Sequence, residues 1–142
     1  MLTPKVQLMA GENIYQARFV TLSTSNPFTG LQSKAGDHVF GISAEGGQVP
    51  PVGGYTDATS VLCAPTGYVL PYYNETEECY IEVGEPCATG ALLKPDANGR
   101  GVNVTSTSDT FGAIALESAT ASQQRIRCRV WISRQTYLGS GS

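Results

Sequence analysis

The chain has 142 residues, a net charge of −3 and only nine lysines and arginines. This length suits one domain with a substantial core, and this charge gives no basis for binding nucleic acid, which depends on clustered basic side chains. Sixteen glycines and a charged fraction of 15% favour strands joined by tight turns. Since no apolar run could span a bilayer and the N-terminus lacks a secretory pattern, we expect an unexported, soluble protein.

The N-terminal residues 1–15 show no regular alternation of apolar and polar side chains, and Pro4 and Gly11 interrupt them. We interpret this stretch as an extended arm that becomes ordered only when something holds it. A first strand is predicted at 17–22, and the Ser/Thr/Asn/Pro composition of 23–30 is typical of a loop.

A short phrase then occurs twice in the chain. Asp-His-Val-Phe-Gly-Ile-Ser-Ala-Glu at 37–45 is followed, 72 residues later, by Asp-Thr-Phe-Gly-Ala-Ile-Ala-Leu-Glu at 109–117. Both copies run from an acidic turn through an aromatic residue and an isoleucine to a glutamate. Because a repeated phrase indicates a repeated structural unit, we expect one β unit used twice within a single domain at 16–134.

The segment 46–54 contains four glycines and two prolines in nine residues. Neither a helix nor a central strand tolerates that density, so an irregular loop is predicted there. Further strands are predicted at 59–63 and 67–72, and the C-terminal 135–142 has the composition of a flexible tail.

The clearest strands are predicted at 78–83 and 125–132, where apolar residues recur with a period of two. The polar face of the first strand consists of Glu78, Tyr80 and Glu82. The other face of the second strand consists of Arg125, Arg127, Arg129 and Trp131. If the strands are neighbours, Arg127 would lie opposite Glu78 or Glu82, and an exposed Trp131 would indicate an interface.

Several interpretations of these side chains stay open. The arginines could form a solvated face paired within the sheet, a contact with another subunit or a capsid, or a contact with DNA. Trp131 and Tyr80, together with Tyr72 and Tyr73, would also suit a platform on which sugars stack.

Few residues indicate chemistry. The four cysteines have no CxxC spacing, and two of them, Cys79 and Cys128, fall on the apolar phase of predicted strands, where a small buried side chain is expected. With one histidine, His38, a zinc site is not expected. Asp-Ala-Asn-Gly at 96–99 predicts a β-turn, because the further acidic ligands of a calcium loop are missing. The sequence predicts no catalytic, cofactor or metal site.

The segment 83–102, followed by 109–117, resembles the capsid decoration (cement) proteins of tailed phages. The order of short motifs carries the resemblance, which spans roughly 17–132, whereas 46–55 and 72–82 have no counterpart. The matching positions are Gly90, Leu92, Leu93, Asp96, Gly99, Arg100, Ala113, Ile114, Ala115, Leu116 and Glu117.

The resemblance implies an all-β fold, a compact sandwich or barrel of the β-clip kind with short antiparallel strands. It implies a non-enzymatic homotrimer that binds the outer surface of a phage capsid and cements neighbouring major-capsid subunits against internal DNA pressure. The protein would be in the host cytoplasm during assembly and then on the virion, with no direct contact with nucleic acid or membrane. Candidate subunit or capsid contacts are Arg125, Arg127, Arg129, Trp131, Glu78, Tyr80 and Glu82.

Two other classes are kept as alternatives. A carbohydrate-binding or adhesive β module of a virion or cell surface would keep its aromatic platform exposed. An enzyme similar to the trimeric β-rich nucleotide hydrolases would need carboxylate and phosphate-binding motifs that we do not find in the sequence.

Overall fold

The computed structural model describes residues 6–45 and 62–133, and this part of the chain is all β, as expected from the sequence. It forms no helix of the length and apolar character that a membrane span requires. Its strands are β1 (Leu8–Ala10), β2 (Ile14–Tyr15), β3 (Phe19–Leu22), β4 (Thr29–Gln32), β5 (Gly41–Ser43), β6 (Leu62–Ala64), β7 (Val69–Leu70), β8 (Tyr72–Tyr73), β9 (Glu78–Glu82), β10 (Leu92–Pro95), β11 (Gly101–Asn103), β12 (Ala113–Ala115) and β13 (Arg125–Val130).

These strands form three sheets. The first has the order β7-β1-β4-β3-β5-β8, the second β11-β10-β12-β13-β9, and β2 pairs with β6 in a small third sheet. The named strands pair antiparallel except β1 and β4, which run parallel. The five-stranded sheet nearly closes into a barrel, because Val83 bridges to Gly101 and the Gly84 N–H donates to the Gly101 carbonyl at 2.8 Å.

Two apolar cores hold the sheets together. The first lies between the six-stranded and five-stranded sheets, and among its buried residues are Phe19, Val39, Ile42, Leu93, Ala113, Cys128 and Val130. The second lies on the other face of the six-stranded sheet, against β2 and β6, and includes Leu8, Ile14, Val20, Cys63 and Leu70. The six-stranded sheet is therefore the middle layer of three.

The strands predicted at 17–22, 39–44, 78–83 and 125–132 are found as β3, β5, β9 and β13. The expected arm at 1–15 differs from the structure over 6–15, where β1 inserts between β4 and β7. Leu8 and Ile14 are buried in the second core, so this segment belongs to the β body. Its few apolar residues lack a visible period because β1 and β2 span only three and two residues.

Three sequence predictions cannot be compared with the structure. Residues 1–5 of the expected arm, the predicted loop at 46–54 and the predicted tail at 135–142 lie outside the described residues.

The repeated phrase belongs to a larger duplication. In the six-stranded sheet β4, β3, β5 and β8 lie side by side, and β11, β10, β12 and β13 lie in the same order in the five-stranded sheet, all antiparallel. We call these four-strand blocks the first repeat and the second repeat. Phe19 pairs with Ile42 in the first repeat, as Leu92 pairs with Ile114 in the second.

The turn before the repeated strand has the same hydrogen bonds in both repeats. The Asp37 carboxylate accepts from the Lys34 N–H at 2.8 Å, and the Asp109 carboxylate accepts from the Ser106 N–H at 3.1 Å. In return, the Asp37 N–H donates to the Lys34 carbonyl and the Asp109 N–H donates to the Ser106 carbonyl, both at 3.0 Å. The two blocks therefore have equivalent strand register and equivalent turn hydrogen bonds.

Candidate functional site

The predicted contact residues lie mainly on β9 and β13, which are neighbours in the five-stranded sheet. The register places Arg129 opposite Glu78, Arg127 opposite Tyr80, and Arg125 opposite Glu82. The two strands are neighbours, which was the condition for pairing Arg127 with a glutamate, but Arg127 lies opposite Tyr80 instead. Alternation alone could not fix this register, since it identifies the faces of a strand and not its cross-strand partners.

The side chains that point away from the first core form a surface that we call the outer face. It consists of Glu78, Tyr80, Leu92, Ile114, Arg127, Arg129 and Trp131. No sheet in the described part of the chain packs against this surface.

The aromatic residues of the outer face are half-exposed, Tyr80 at 42% and Trp131 at 48%. The Arg127 guanidinium carbon lies 5.9 Å from the centroid of the Tyr80 ring, a cation–π distance. Arg129 Nη2 lies 2.8 Å from Glu78 Oε2, and this hydrogen bond lowers the pKa of Glu78. Aromatic and arginine side chains together are typical of the centre of a protein interface.

Glu82 is a correction to the predicted contact set, because its side chain is fully buried. Its carboxylate lies 3.1 Å from Arg18 Nη2, 2.7 Å from Arg100 Nε and 3.4 Å from Arg125 Nε. Arg18 directly precedes β3, whereas Arg100 and Arg125 belong to the five-stranded sheet or its turns. The cluster of Glu82, Arg18, Arg100 and Arg125, which we call the arginine cluster, therefore ties the two large sheets together.

Arg125 is likewise turned inward instead of lying on an exposed arginine face. Its Nη1 donates to Glu45 Oε2 at 2.6 Å and to Gln16 Oε1 at 3.3 Å. Sequence reasoning missed Arg18 and Arg100 as partners, because they lie 64 and 18 residues away from Glu82. The only available signal was that Glu82 is flanked by two apolar residues, Ile81 and Val83.

A cleft of about 350 Å³ lies where the equivalent turns of the two repeats approach each other. It is lined by Gly36 and His38 from one turn and by Ser108 and Asp109 from the other, with Lys94 of β10 beside them. Lys94 Nζ lies 2.8 Å from Asp109 Oδ2. His38, predicted as a turn residue, therefore lines a polar cleft between repeats.

Replacing Asp109 by asparagine is expected to flatten the pH dependence of stability in acid. The hydrogen bond from Lys94, with those from the backbone of Thr105 and Ser106, lowers the pKa of Asp109 from 3.8 to about 2. A lowered folded pKa stabilises the fold above pH 3.8 and loses that effect as the pH falls towards 2. Urea unfolding across this window should show a smaller slope with pH for Asp109→Asn than for the parent.

Lys94→Gln serves as the matched variant for this experiment, since it removes the main cause of the lowered pKa of Asp109. Lys94→Gln should likewise reduce the change in the free energy of unfolding with pH between pH 3.8 and about 2. If both variants kept the parent's pH dependence in this range, the Lys94–Asp109 pair would not contribute to acid sensitivity.

The described residues contain no group of three or more histidine, cysteine, aspartate or glutamate side chains placed to hold a metal ion. Cys79 and Cys128 are buried free thiols with their sulfur atoms 3.8 Å apart, which confirms the predicted small buried side chains. The hydrogen bond to Cys79 and burial both raise the pKa of Cys128. The raised pKa keeps the Cys128 thiol protonated at neutral pH, and both cysteines belong to the core.

The architecture has a counterpart among solved structures. The chain is similar to the head fiber gp8.5 N base of bacteriophage phi29, with a TM-score of 0.53, 16% sequence identity, and coverage of 87% of this chain and 90% of that chain. No protein-family model and no curated protein matches the sequence. At this identity the likeness shows a common fold, which extends over nearly the whole of both chains.

Proposed function

We propose that the chain is a structural protein of a phage virion, one that binds the outer surface of the capsid and holds neighbouring major-capsid subunits together. The fold shared with the base of the phi29 head fiber, over nearly the full length of both chains, carries this proposal. The resemblance of 83–102 and 109–117 to cement proteins points to the same role. The protein is non-enzymatic in this role and works as a homotrimer.

A cementing protein must add contact area without deforming as the capsid is pressurised. Two apolar cores and the arginine cluster make the three layers one stiff body. The outer face offers Tyr80, Trp131 and Arg127, side chains of the kind that dominate binding energy when a partner covers them. We assign the capsid contact to this part of the outer face.

The experiment uses the single tryptophan of the chain, Trp131, as a reporter of the outer face. The purified full chain is mixed with empty, expanded capsid shells and sedimented. We expect saturable retention on the shells together with a blue shift of Trp131 fluorescence, because burial in an interface removes water from the indole. Shells that sediment without the chain would contradict the proposal.

Tyr80→Ala tests the location of the contact, with Tyr68→Ala as the matched control. Tyr68 is 54% exposed, compared with 42% for Tyr80, and it directly precedes β7 of the six-stranded sheet. Loss of a central aromatic contact of about 2 kcal/mol corresponds to roughly a 30-fold weaker retention. We expect that loss for Tyr80→Ala and unchanged retention for Tyr68→Ala. Equal retention of the two variants would show that the capsid contact does not involve Tyr80.

A carbohydrate-binding or adhesive module is the second candidate, and the half-exposed Tyr80 and Trp131 are what favour it. Sugars stack on exposed aromatic rings, so binding would change Trp131 fluorescence in the absence of any capsid. A titration with host-surface polysaccharide separates the two roles: saturable fluorescence change with sugar and no retention on shells would favour the adhesive module.

A further inference from the structure

The two repeats contact each other through different surfaces. The turn between β10 and β11 of the second repeat lies on β3 and β4 of the first. The Gly99 carbonyl accepts the Phe19 N–H at 2.8 Å, and the Asn98 carbonyl accepts Arg18 Nη1 at 3.0 Å and Gln32 Nε2 at 2.9 Å. The first repeat therefore provides the surface on which a turn docks, which we call the acceptor surface. The second repeat provides that turn, which we call the donor turn; both names refer to docking and not to hydrogen bonds.

The first repeat has an equivalent turn at 23–29, corresponding to 96–100 in the second. In each turn the N–H of the first residue donates to the carbonyl of the last residue, at 2.8 and 2.9 Å. The position before the last residue is Phe28 in one turn and Gly99 in the other, and both have a left-handed backbone, with φ of 52° and 76°. Phe28 is thus the counterpart of the residue that docks on the first repeat.

The two residues differ in what surrounds them. A Cβ on Gly99 would lie 3.2 Å from the Ser33 carbonyl oxygen, so a side chain there would force the neighbouring backbone to shift. Phe28 is 67% exposed, the most exposed of the large apolar side chains in the described residues. The Met9 N–H donates to its carbonyl at 2.9 Å, which fixes the turn against β1. Phe28 is thus exposed on a turn that a hydrogen bond fixes to β1, and it has a left-handed backbone conformation that bulky residues rarely adopt.

The second repeat carries a counterpart of the acceptor surface on which no turn of the described residues lies. The Ser33 N–H donates to the Phe19 carbonyl at 2.9 Å, and equivalently the Val104 N–H donates to the Leu92 carbonyl at 3.0 Å. Leu92 and Val104 therefore correspond to Phe19 and Ser33. In the same way Phe111 corresponds to Val39, which is buried in the first core.

These counterparts border an open cleft. Leu92, Val104 and Phe111, together with 105–107 and Asp109, line a cavity of about 430 Å³, and the three apolar side chains are only partly buried. In the first repeat the corresponding apolar surface is covered by the second repeat. The described part of the chain thus presents two exposed features, the turn at 23–29 of the first repeat and the acceptor cleft of the second repeat.

We propose that a second copy of this chain inserts Phe28 into the cleft formed by Leu92, Val104 and Phe111. The contact would lie at the positions of the second repeat that correspond to those under the docked turn, but it would be made by the Phe28 side chain, because the Phe28 carbonyl already accepts the Met9 N–H. Because donor and acceptor are different surfaces, the interface is head-to-tail, and copies related by a closing rotation form a ring. This inference rests on the internal duplication; it names a self-association surface for the proposed homotrimer but does not depend on capsid binding.

Phe28→Asn tests the donor, because asparagine tolerates a left-handed backbone and the variant should fold at least as well as the parent. By sedimentation velocity over a concentration series, we expect the parent to form a closed oligomer and Phe28→Asn to sediment as a 15.0 kDa monomer with an unchanged circular-dichroism spectrum. Tyr68→Asn, which removes another exposed aromatic, should keep the mass of the parent. A parent that stays monomeric, or a Phe28→Asn variant that keeps the parent's mass, would overturn the inference.

Cross-linking tests the direction of the contact. Phe28→Cys and Thr107→Cys variants, mixed and oxidised, should give a disulfide-linked dimer that neither variant gives alone, because Thr107 lines the acceptor cleft. Self-linking of Phe28→Cys would indicate a two-fold contact and overturn the head-to-tail interface. Retention on capsid shells is a separate readout, so a monomeric chain that still binds shells would leave the proposed function standing.

Discussion

Replacing Glu82 by glutamine is expected to lower the free energy of unfolding by about 3–5 kcal/mol, since removing one partner of a buried ion network leaves charge uncompensated. The Glu82 carboxylate is fully buried and lies within 3.4 Å of three guanidinium groups. The Arg18 side chain is 4% exposed, so water cannot replace the lost charge there. Urea unfolding at neutral pH, followed by circular dichroism, measures the loss.

Glu78→Gln is the matched control for this prediction. Glu78 lies on the same strand and also pairs with an arginine, but both Glu78 and Arg129 have 42% of their side chains exposed. Exposed pairs contribute little, because solvent already screens them. We expect the Glu78→Gln variant to unfold at nearly the parent's urea concentration, and a similar loss in both variants would show that the arginine cluster does not hold the sheets.

A double variant separates charge imbalance from packing. Replacing Glu82 and Arg18 together by leucine and methionine should recover part of the loss seen for Glu82→Gln, because apolar residues of similar volume can substitute for a buried ion pair. No recovery would indicate that the remaining arginines, Arg100 and Arg125, still lack a partner for their charge.

Phe19→Ala is expected to cost about 3–5 kcal/mol, as is usual when a fully buried aromatic side chain is truncated and the cavity cannot collapse. Phe19 is fully buried in the first core. A Cβ on Gly112 of the five-stranded side would lie 2.8 Å from its ring, so the ring spans the gap between the repeats. The variant should therefore weaken the joint between the sheets and lower the urea midpoint strongly.

Phe28→Ala makes the same chemical change at an exposed position. Because the Phe28 side chain is 67% exposed, its loss should leave the urea midpoint of the monomer near that of the parent. Equal losses at both positions would contradict the view that Phe19 joins the repeats and that Phe28 serves a contact outside the chain.

The sequence predicted the all-β class and the strands β9 and β13, because a strand buried on one face needs alternation and little else. The prediction of a doubled β unit came from only nine residues in each copy. The turn residues Asp37 and Asp109 are kept because their carboxylates close the same turn. Outside the repeated phrase, equivalent positions of the two repeats have the same backbone hydrogen bonds but different side chains. Phe28 and Gly99, for example, occupy equivalent positions in the turns at 23–29 and 96–100.

The candidate site was predicted less completely, for physical reasons. Alternation places Glu82 beside Tyr80 on a polar face, but the segment before β3 covers that end of β9, and the Glu82 N–H donates to the Ala17 carbonyl at 2.9 Å. Burial by a segment distant in sequence leaves no local pattern. The strands at 6–15 of the expected arm were missed for a related reason, since β1 is held by its neighbours β4 and β7 and not by its own propensity.

The proposed role implies that a tailed phage encodes the chain, and it is tested most directly on DNA-filled heads of such a phage, prepared with and without the chain. Heating the heads while a DNA-binding dye reports released genome gives the temperature at which the capsid fails. We expect heads that carry the chain to retain DNA to a higher temperature, and heads supplied with Tyr80→Ala to fail like bare heads. An unchanged failure temperature for heads saturated with the chain would contradict a cementing function.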